Sequence, residues 1–287
     1  MDVLETMTCA QFATRLGEGE FDGGETAVVA STSSAELAER LEAEAWERGI
    51  GPKVLVLVYD DIDIGADLAI PEGANVFGPD KARAVVSFAN DWAGEAERFL
   101  AVCDGGVSRS AAVRAAVSRI CAGDDLACWT DLRYRPNVLV HYRLLQAAGI
   151  TLPHEQVASR VALKQRLLDC KTGGRRIHGM HLVEHAWEAM AAGTKDVELR
   201  LLDEKLASIR PGDAVVFGQI EGAGILVASV ESLHAYGSFR QLFRDWPDAV
   251  ARAGFADEDE GIEAVEGVYG LEPGPVLAIC IGFDEPA

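Results

Sequence analysis

The stretch FLAVCDGGVSRS, residues 99–110, places a short apolar strand directly before a loop that contains two glycines. An Ala/Val-rich segment at 110–120 follows, and it predicts a helix that begins where the loop ends. A tight turn between a strand and a helix N-terminus points successive backbone N–H groups inward, which makes a nest for an anion. The segment from Val102 to Ser110 is therefore predicted to be a phosphate-binding loop.

Cys103 and Arg109 carry the predicted chemistry of this loop. The positive helix end and Arg109 favour the thiolate of Cys103, and only the thiolate is a good nucleophile. Arg109 offers a planar fork that suits two phosphate oxygens, and Ser110 can donate a hydrogen bond to the sulfur. Gly105 and Gly106 permit the unusual backbone angles of such a turn. The structural alternative is a buried cysteine at a strand end, with Arg109 on an exposed helix turn.

Strand-like and helix-like segments alternate on both sides of the loop. Apolar runs predict buried strands at 26–30, 54–58 and 99–102. The predicted helices span 35–48, 79–92, 110–120 and 138–146. Continuous apolar strands separated by helices favour an α/β fold in which a mostly parallel sheet is covered on both faces.

The loop resembles the C-x5-R signature of protein tyrosine and dual-specificity phosphatases, and it is most similar to small bacterial members. Asp60-Asp61-Ile62 after a strand and Tyr134-Arg135-Pro136-Asn137 before a helix match features that flank the loop in those proteins. The resemblance covers most of residues 25–150 and implies that Cys103 is the nucleophile and Arg109 the phosphate clamp. It also implies a phosphate-binding loop formed by Asp104, Gly105, Gly106, Val107 and Ser108.

Two residues depart from the family pattern. Val102 stands where the family usually has a histidine, and Asp104 places a carboxylate beside the nucleophile. A nearby negative charge opposes formation of a thiolate unless the carboxylate points elsewhere. These departures motivate an alternative function, a protein that binds phosphate without chemistry and acts mainly through its second domain.

The phosphatase mechanism also needs a general acid that protonates the leaving oxygen. In the family an aspartate outside the cysteine loop supplies it, so Asp61 is the first choice and Asp60 the second, because both follow a predicted buried strand. Asp63, Asp67 and Asp80 remain open alternatives. Each of these residues can equally be a solvated turn carboxylate.

The second half of the chain has a different character. A break at Gly173-Gly174 is followed by a predicted helix at 182–191, strands at 197–201, 214–217, 225–230 and 276–281, and an acidic surface stretch at 257–263. The pattern predicts a small β-barrel with peripheral helices. The predicted domains are 1–155, a helical linker at 156–175, and 176–287.

Residues 193–200, GTKDVELR, resemble the Gly-x-Lys-x-x-Glu-x-Arg signature of the ASCH family, whose fold is a PUA-like β-barrel. The later Gly212-Asp213 turn, Ser238-Phe239 and Tyr269 fit the same family. The resemblance covers about residues 176–287 and implies binding of RNA, a nucleotide or a modified nucleoside. The residues that carry over as binding residues are Lys195, Glu198, Arg200 and Lys205.

Composition narrows the remaining function classes. A formal net charge of -20 opposes non-specific binding to nucleic acid or to an anionic membrane. The six cysteines form no CxxC pair, so a disulfide framework is not expected and a reducing cytoplasm fits best. The segment from His181 to His185 matches an H-x-x-E-H zinc motif but lacks a third ligand, so no metal or cofactor is expected. The expected partner is a phosphorylated protein, nucleotide or RNA end.

Overall fold

In the computed structural model, residues 3–65, 74–270 and 274–283 are described. They divide into two units, Met1–Leu167 and Leu168–Ala287. The boundary falls inside a long helix, His154–Thr172, within the range that the sequence sets apart as a helical linker. No helix among the described residues is both long enough and apolar enough to cross a bilayer.

In the part of the first unit that the structure describes, the sheet consists of four parallel strands. These are β1 (Val3–Thr8), β2 (Thr26–Thr32), β3 (Val54–Val58) and β4 (Arg98–Cys103). Their spatial order is β1–β4–β2–β3, so β4 lies between β1 and β2. Thr8 and Ser31 stand opposite Cys103 in the register. The loop that follows Cys103 therefore begins among the carboxyl ends of neighbouring strands.

Helices flank this sheet. They are α1 (Cys9–Gly17), α2 (Ala35–Glu47), α3 (Pro79–Trp92), α4 (Arg109–Ala122), α5 (Leu126–Trp129), α6 (Val138–Ala147) and α7 (His154–Thr172). Leu16 of α1 and Leu41 of α2 share one core cluster with Val28 and Leu100 of the sheet. Strand residues of the opposite parity, such as Ala101, are also buried, so both faces of the sheet are covered. The predicted α/β class with a parallel, helix-flanked sheet is confirmed.

The strand β1 and the helix α1 are not predicted from the sequence. β1 is an edge strand and most of its described side chains are only half-buried, so it lacks the continuous apolar run of the inner strands. The helix signal after it is a capping box: the Thr8 hydroxyl accepts from the Gln11 amide, and the Gln11 side chain accepts from the Thr8 amide. This pair places α1 directly beside the carboxyl end of β4.

The second unit contains a five-stranded mixed sheet. Its strands are β5 (Ile177–Leu182), β6 (Val197–Leu201), β7 (Ala214–Gln219), β8 (Ile225–Tyr236) and β9 (Val276–Gly282). The order is β5–β7–β8–β9–β6, with β5 parallel to β7 and the other pairs antiparallel. The sheet is curled, while a closed PUA-like barrel remains a prediction.

Among the described residues, four α-helices accompany the second sheet: α8 (Glu184–Ala191), α9 (Phe239–Asp245), α10 (Asp248–Arg252) and α11 (Glu258–Tyr269). The predicted helix at 182–191 is wrong at its start, because Leu182 ends strand β5 and is buried there. His181 is therefore in a strand while His185 is in α8, so the two do not share a helix face. The acidic stretch that begins at Asp257 is the capped start of α11.

A buried carboxylate joins three helices of the first unit. Asp125, only 1% exposed, accepts hydrogen bonds from Arg119 Nε of α4 and from Trp129 Nε1 of α5, both at 2.9 Å. His141 Nε2 of α6 lies 2.9 Å from the same carboxylate. Burial acts to raise the pKa of Asp125, but His141, Arg160 and Arg119 outweigh it and hold this pKa well below its usual value. The network therefore needs an ionised carboxylate at its centre.

Replacing Asp125 by alanine should destabilise the first unit by about 3–5 kcal/mol, because it leaves a buried arginine without its counter-charge. Urea denaturation of the full chain measures the effect. The matched control is Asp91→Ala on the exposed side of α3, which should change stability by about 0.5 kcal/mol or less. A loss below about 1 kcal/mol in the Asp125 variant would show that the network does not hold these helices together.

Candidate functional site

The loop after β4 turns on a single glycine. Gly106 has φ 66°, a left-handed conformation that L side chains rarely adopt. A Cβ at this position would lie 3.2 Å from the backbone of Met7 and Thr8 in β1. Gly105 has open space around it, so only Gly106 is required by the turn geometry. The close approach to β1 explains why the loop is as tight as the sequence predicts.

Arg109 is the first residue of α4, and its side chain is only 4% exposed. Its Nη1 donates to the Tyr59 carbonyl at 2.7 Å and to Ser33 Oγ at 3.1 Å, while Nη2 donates to Asp104 at 2.7 Å. The structural alternative with Arg109 on an exposed turn is therefore wrong. Within the described part of the chain, its buried Nε has no hydrogen-bond partner. Such an orphaned donor is available to an anion.

The Asp104 carboxylate is directed to Arg109, although the side chain is still 40% exposed. Its Oδ2 also accepts from the Ser33 amide at 3.1 Å. Burial acts to raise the pKa of Asp104, but hydrogen bonds from Thr32, Arg109 and Ser33 outweigh it and lower this pKa. The carboxylate is thus ionised and paired, and it occupies one arm of the Arg109 fork.

Cys103 is 1% exposed at the end of β4, and its Sγ lies 3.1 Å from Ser110 Oγ. In the thiolate form of Cys103, the Ser110 hydroxyl is placed to donate to the sulfur. A second cysteine, Cys9, is also buried close to the loop. Burial, together with the Asp104 carboxylate, raises the pKa of Cys9 to about 12, so this thiol stays protonated near neutral pH.

Asp61 contacts the loop, whereas the carboxylate of Asp60 makes its hydrogen bond with a different segment of the chain. Asp61 Oδ1 accepts from Ser108 Oγ at 2.8 Å and from Asn137 Nδ2 at 2.9 Å. Its Oδ2 is 3.9 Å from the orphaned Nε of Arg109. Asp60 instead accepts from the Asn75 amide at 3.3 Å. The geometry therefore separates the two predicted acids and places Asp61 beside Ser108 and Arg109 of the loop.

The other predicted alternatives for the acid have different surroundings. Asp63 Oδ1 accepts from the Leu139 amide at 3.0 Å, and Oδ2 is paired with Lys164. Asp80 is 93% exposed on α3 and is paired with Arg83. Asp67 lies outside the described residues. Within the described part of the chain, neither Asp63 nor Asp80 contacts Cys103 or Arg109.

Asn137 is a site residue to which sequence reasoning assigned no role. Its Nδ2 also donates to the Ile62 carbonyl at 3.0 Å, and its Oδ1 accepts from the Val140 amide at 2.9 Å, which caps α6. Its backbone N–H donates to the Ser108 carbonyl at 3.2 Å. The Pro136-Asn137 pair was the available signal, but only the contacts show that it holds Asp61 and the loop together.

The residues predicted to bind a nucleotide or RNA in the second unit separate into two groups. Lys195 is buried and donates to the carbonyls of Val197 and Ala253, both at 2.9 Å. It also pairs with buried Glu198 at 3.2 Å. These two residues are part of the interior.

Arg200 and Lys205 line a cavity of about 460 Å³. Lys205 Nζ donates to the Gly179 carbonyl at 3.2 Å, and Arg200 Nη2 donates to the His181 carbonyl at 2.6 Å. Tyr269 lines the same cavity. The structure therefore brings together two of the four predicted binding residues and adds His181 and Tyr269 to them.

No protein-family model matches the chain, and no curated protein matches it either. Among solved structures, the crystal structure of hypothetical protein PH0355 has 32% identity, covers 37% of this chain and 96% of its own, and has a TM-score of 0.32. The solution NMR structure of protein PF0455 from Pyrococcus furiosus has 28% identity, covers 38% and 99%, and has a TM-score of 0.30. The crystal structure of PTPMT1 has 14% identity, covers 60% and 93%, and has a TM-score of 0.28. At these TM-scores none of the three assigns the chain to a family.

Replacing Asp104 by asparagine should tighten the binding of inorganic phosphate by about twofold to tenfold, because it removes a negative charge that competes for the Arg109 fork. Calorimetric titration of the full chain with phosphate measures the change. Asp80→Asn removes an exposed carboxylate on α3 and serves as the matched control. Equal or weaker binding in the Asp104 variant would show that its carboxylate does not compete with the anion.

Proposed function

We propose that the first unit is a cysteine-dependent phosphomonoester hydrolase of the protein tyrosine and dual-specificity phosphatase type. The observation that carries this proposal is the buried Nε of Arg109, which has no hydrogen-bond partner among the described residues. The Asp61 carboxylate lies 3.9 Å from this atom, and the loop that leads to Arg109 starts at Cys103. A phosphate seated there meets a cation, a nucleophile and an acid together. The proposed substrate is a phosphorylated protein, nucleotide or RNA end, and the proposed role of the second unit is to bind RNA or a nucleotide.

The first chemical step transfers the phosphoryl group to sulfur. The Cys103 thiolate attacks phosphorus, the bond from phosphorus to the leaving oxygen breaks, and Asp61 gives its proton to that oxygen. Arg109 Nε stabilises the charge on the phosphoryl oxygens during transfer. The backbone N–H groups of the loop add to this stabilisation because they need no reorganisation at the moment of reaction.

The second step releases phosphate. Water attacks phosphorus and gives a proton to Asp61, the phosphorus–sulfur bond breaks, and Cys103 leaves as a thiolate. Ser110, at 3.1 Å from the sulfur, donates a hydrogen bond to that leaving thiolate. Asn137 and Ser108 hold one oxygen of Asp61, which leaves the other for proton transfer. The cycle returns the site to its starting protonation.

Cys103→Ser should abolish the release of phosphate from an aryl phosphate such as p-nitrophenyl phosphate, by a factor of about a thousand or more, because the alkoxide nucleophile is not formed. The matched control is Cys121→Ser, since Cys121 is an exposed thiol on the far end of α4. This control should keep wild-type activity. Activity that survives in the Cys103 variant would refute the proposed mechanism.

A second function is favoured by Asp104. Its carboxylate holds Nη2 of Arg109 at 2.7 Å, so a phosphate meets a clamp that is half occupied. With Val102 in place of a histidine, the loop then binds phosphate without chemistry, and recognition of RNA or a nucleotide by the second unit becomes the main role.

The reactivity of Cys103 with iodoacetamide discriminates between the two functions. Alkylation at Cys103 is followed by peptide mass spectrometry as pH is varied, with the exposed Cys121 in the same chain as an internal reference. A phosphatase nucleophile should titrate well below about 8.5, the value of a free thiol. Titration of Cys103 at or above that value would favour the binding function over catalysis.

A further inference from the structure

The cavity of the second unit combines cationic and apolar walls. Arg200 and Lys205 supply its positive side chains, while Leu201 and Leu206 supply apolar surface. Tyr269 adds an aromatic ring, which stacks on Phe239 with ring centroids 5.7 Å apart and planes 16° apart. A volume of about 460 Å³ is within the usual range for a small-molecule site.

The charges around this cavity leave a net positive site in a strongly acidic chain. Glu198 lies between two cations, 3.2 Å from Lys195 Nζ and 2.7 Å from Arg200 Nε. Asp203 also lines the cavity, and its carboxylate accepts a hydrogen bond from the Leu206 amide. Among the described residues, Lys195, Arg200 and Lys205 are three cations against the carboxylates of Glu198 and Asp203, which leaves one net positive charge. Such a site attracts a compact anion.

The helix that leads into the cavity opposes a longer polyanion. Tyr269 is the last residue of α11, and the rest of that helix is acidic. Its carboxylates belong to Glu258, Asp259, Glu260, Glu263 and Glu266. A strand of RNA needs cationic contacts along several successive phosphates. Among the described residues, the cavity lining supplies only two cations, Arg200 and Lys205, so it favours a ligand with one phosphate group.

We infer that this cavity binds a nucleoside monophosphate, an inference that rests on the nucleotide-binding role proposed above for the second unit. Arg200 and Lys205 bind the phosphate, and the base packs against Tyr269 and the leucine side chains. Lys195 and Glu198 do not contact the ligand. This buried pair fixes the position of Arg200 through the 2.7 Å contact between Glu198 and Arg200 Nε. The ligand is thus a single nucleotide rather than an RNA strand.

Calorimetric titration of the full Cys103→Ser chain with AMP and with UMP tests this inference, because that variant does not consume the nucleotide. Lys205→Gln should weaken binding by about tenfold or more, since it removes a charge-assisted contact from an exposed side chain that the fold does not need. Arg200→Gln should have a similar effect. The matched control is Arg244→Gln, a 70% exposed arginine of α9 outside the cavity, which should leave the affinity unchanged.

A second comparison separates this inference from the functions proposed above. Adenosine and inorganic phosphate should each bind at least about tenfold more weakly than AMP, since each lacks half of the contacts. Tighter binding of a single-stranded RNA of about ten nucleotides than of AMP would overturn the inference and leave an RNA-binding role. Loss of AMP binding in Arg109→Met, with no loss in Lys205→Gln, would also overturn it by moving the nucleotide to the phosphatase loop. If the wild type hydrolyses p-nitrophenyl phosphate but the titrations show no binding of AMP or UMP, the inference about the cavity is overturned and the phosphatase proposal stands.

Discussion

A buried guanidinium is the interaction on which the first unit depends. Burying a cation is costly unless hydrogen bonds and a counter-charge compensate for it. Arg109 meets this requirement through the Tyr59 carbonyl after β3, the Ser33 hydroxyl after β2 and the Asp104 carboxylate after β4. One side chain therefore joins the carboxyl ends of three parallel strands. The loop keeps its shape because the same contacts that satisfy Arg109 also close it against the sheet.

Among the described residues, the hydrogen bonds to Arg109 leave one donor unused, and the proposed chemistry uses that donor. Its Nε is left over, while Asp61 is held nearby by Ser108 and Asn137. Asp104 has opposite effects here, since it stabilises the buried cation and occupies an arm that a phosphate could use. The site thus balances stability against anion affinity through one carboxylate. The pKa of Asp104 is lowered, so under the proposed function its ionised carboxylate competes with phosphate for Arg109 throughout the neutral pH range.

The second unit divides the charges of a short sequence motif between interior and cavity. Lys195 and Glu198 are buried in contact with each other, whereas Arg200 reaches the cavity wall. Alternation along β6 does not by itself produce this division, because Lys195 precedes the strand and is captured by carbonyls of Val197 and Ala253. A residue pattern that resembles one binding site therefore combines a structural ion pair with residues that line a cavity.

Local sequence determined the features whose causes lie within a few residues. The apolar runs at 54–58 and 99–102 and the helices after Pro79 and after the loop follow from periodicity and capping, which act over one or two turns. The spacing of Cys103, Ser110 and Arg109 follows for the same reason. Tertiary structure decided the rest: the edge strand β1, the selection of Asp61 over Asp60, and the role of Asn137. Those outcomes depend on hydrogen bonds between segments 47 to 95 residues apart, such as the contact of Asp61 with Asn137. No local pattern records such contacts, because only the folded sheet brings their donors and acceptors within reach.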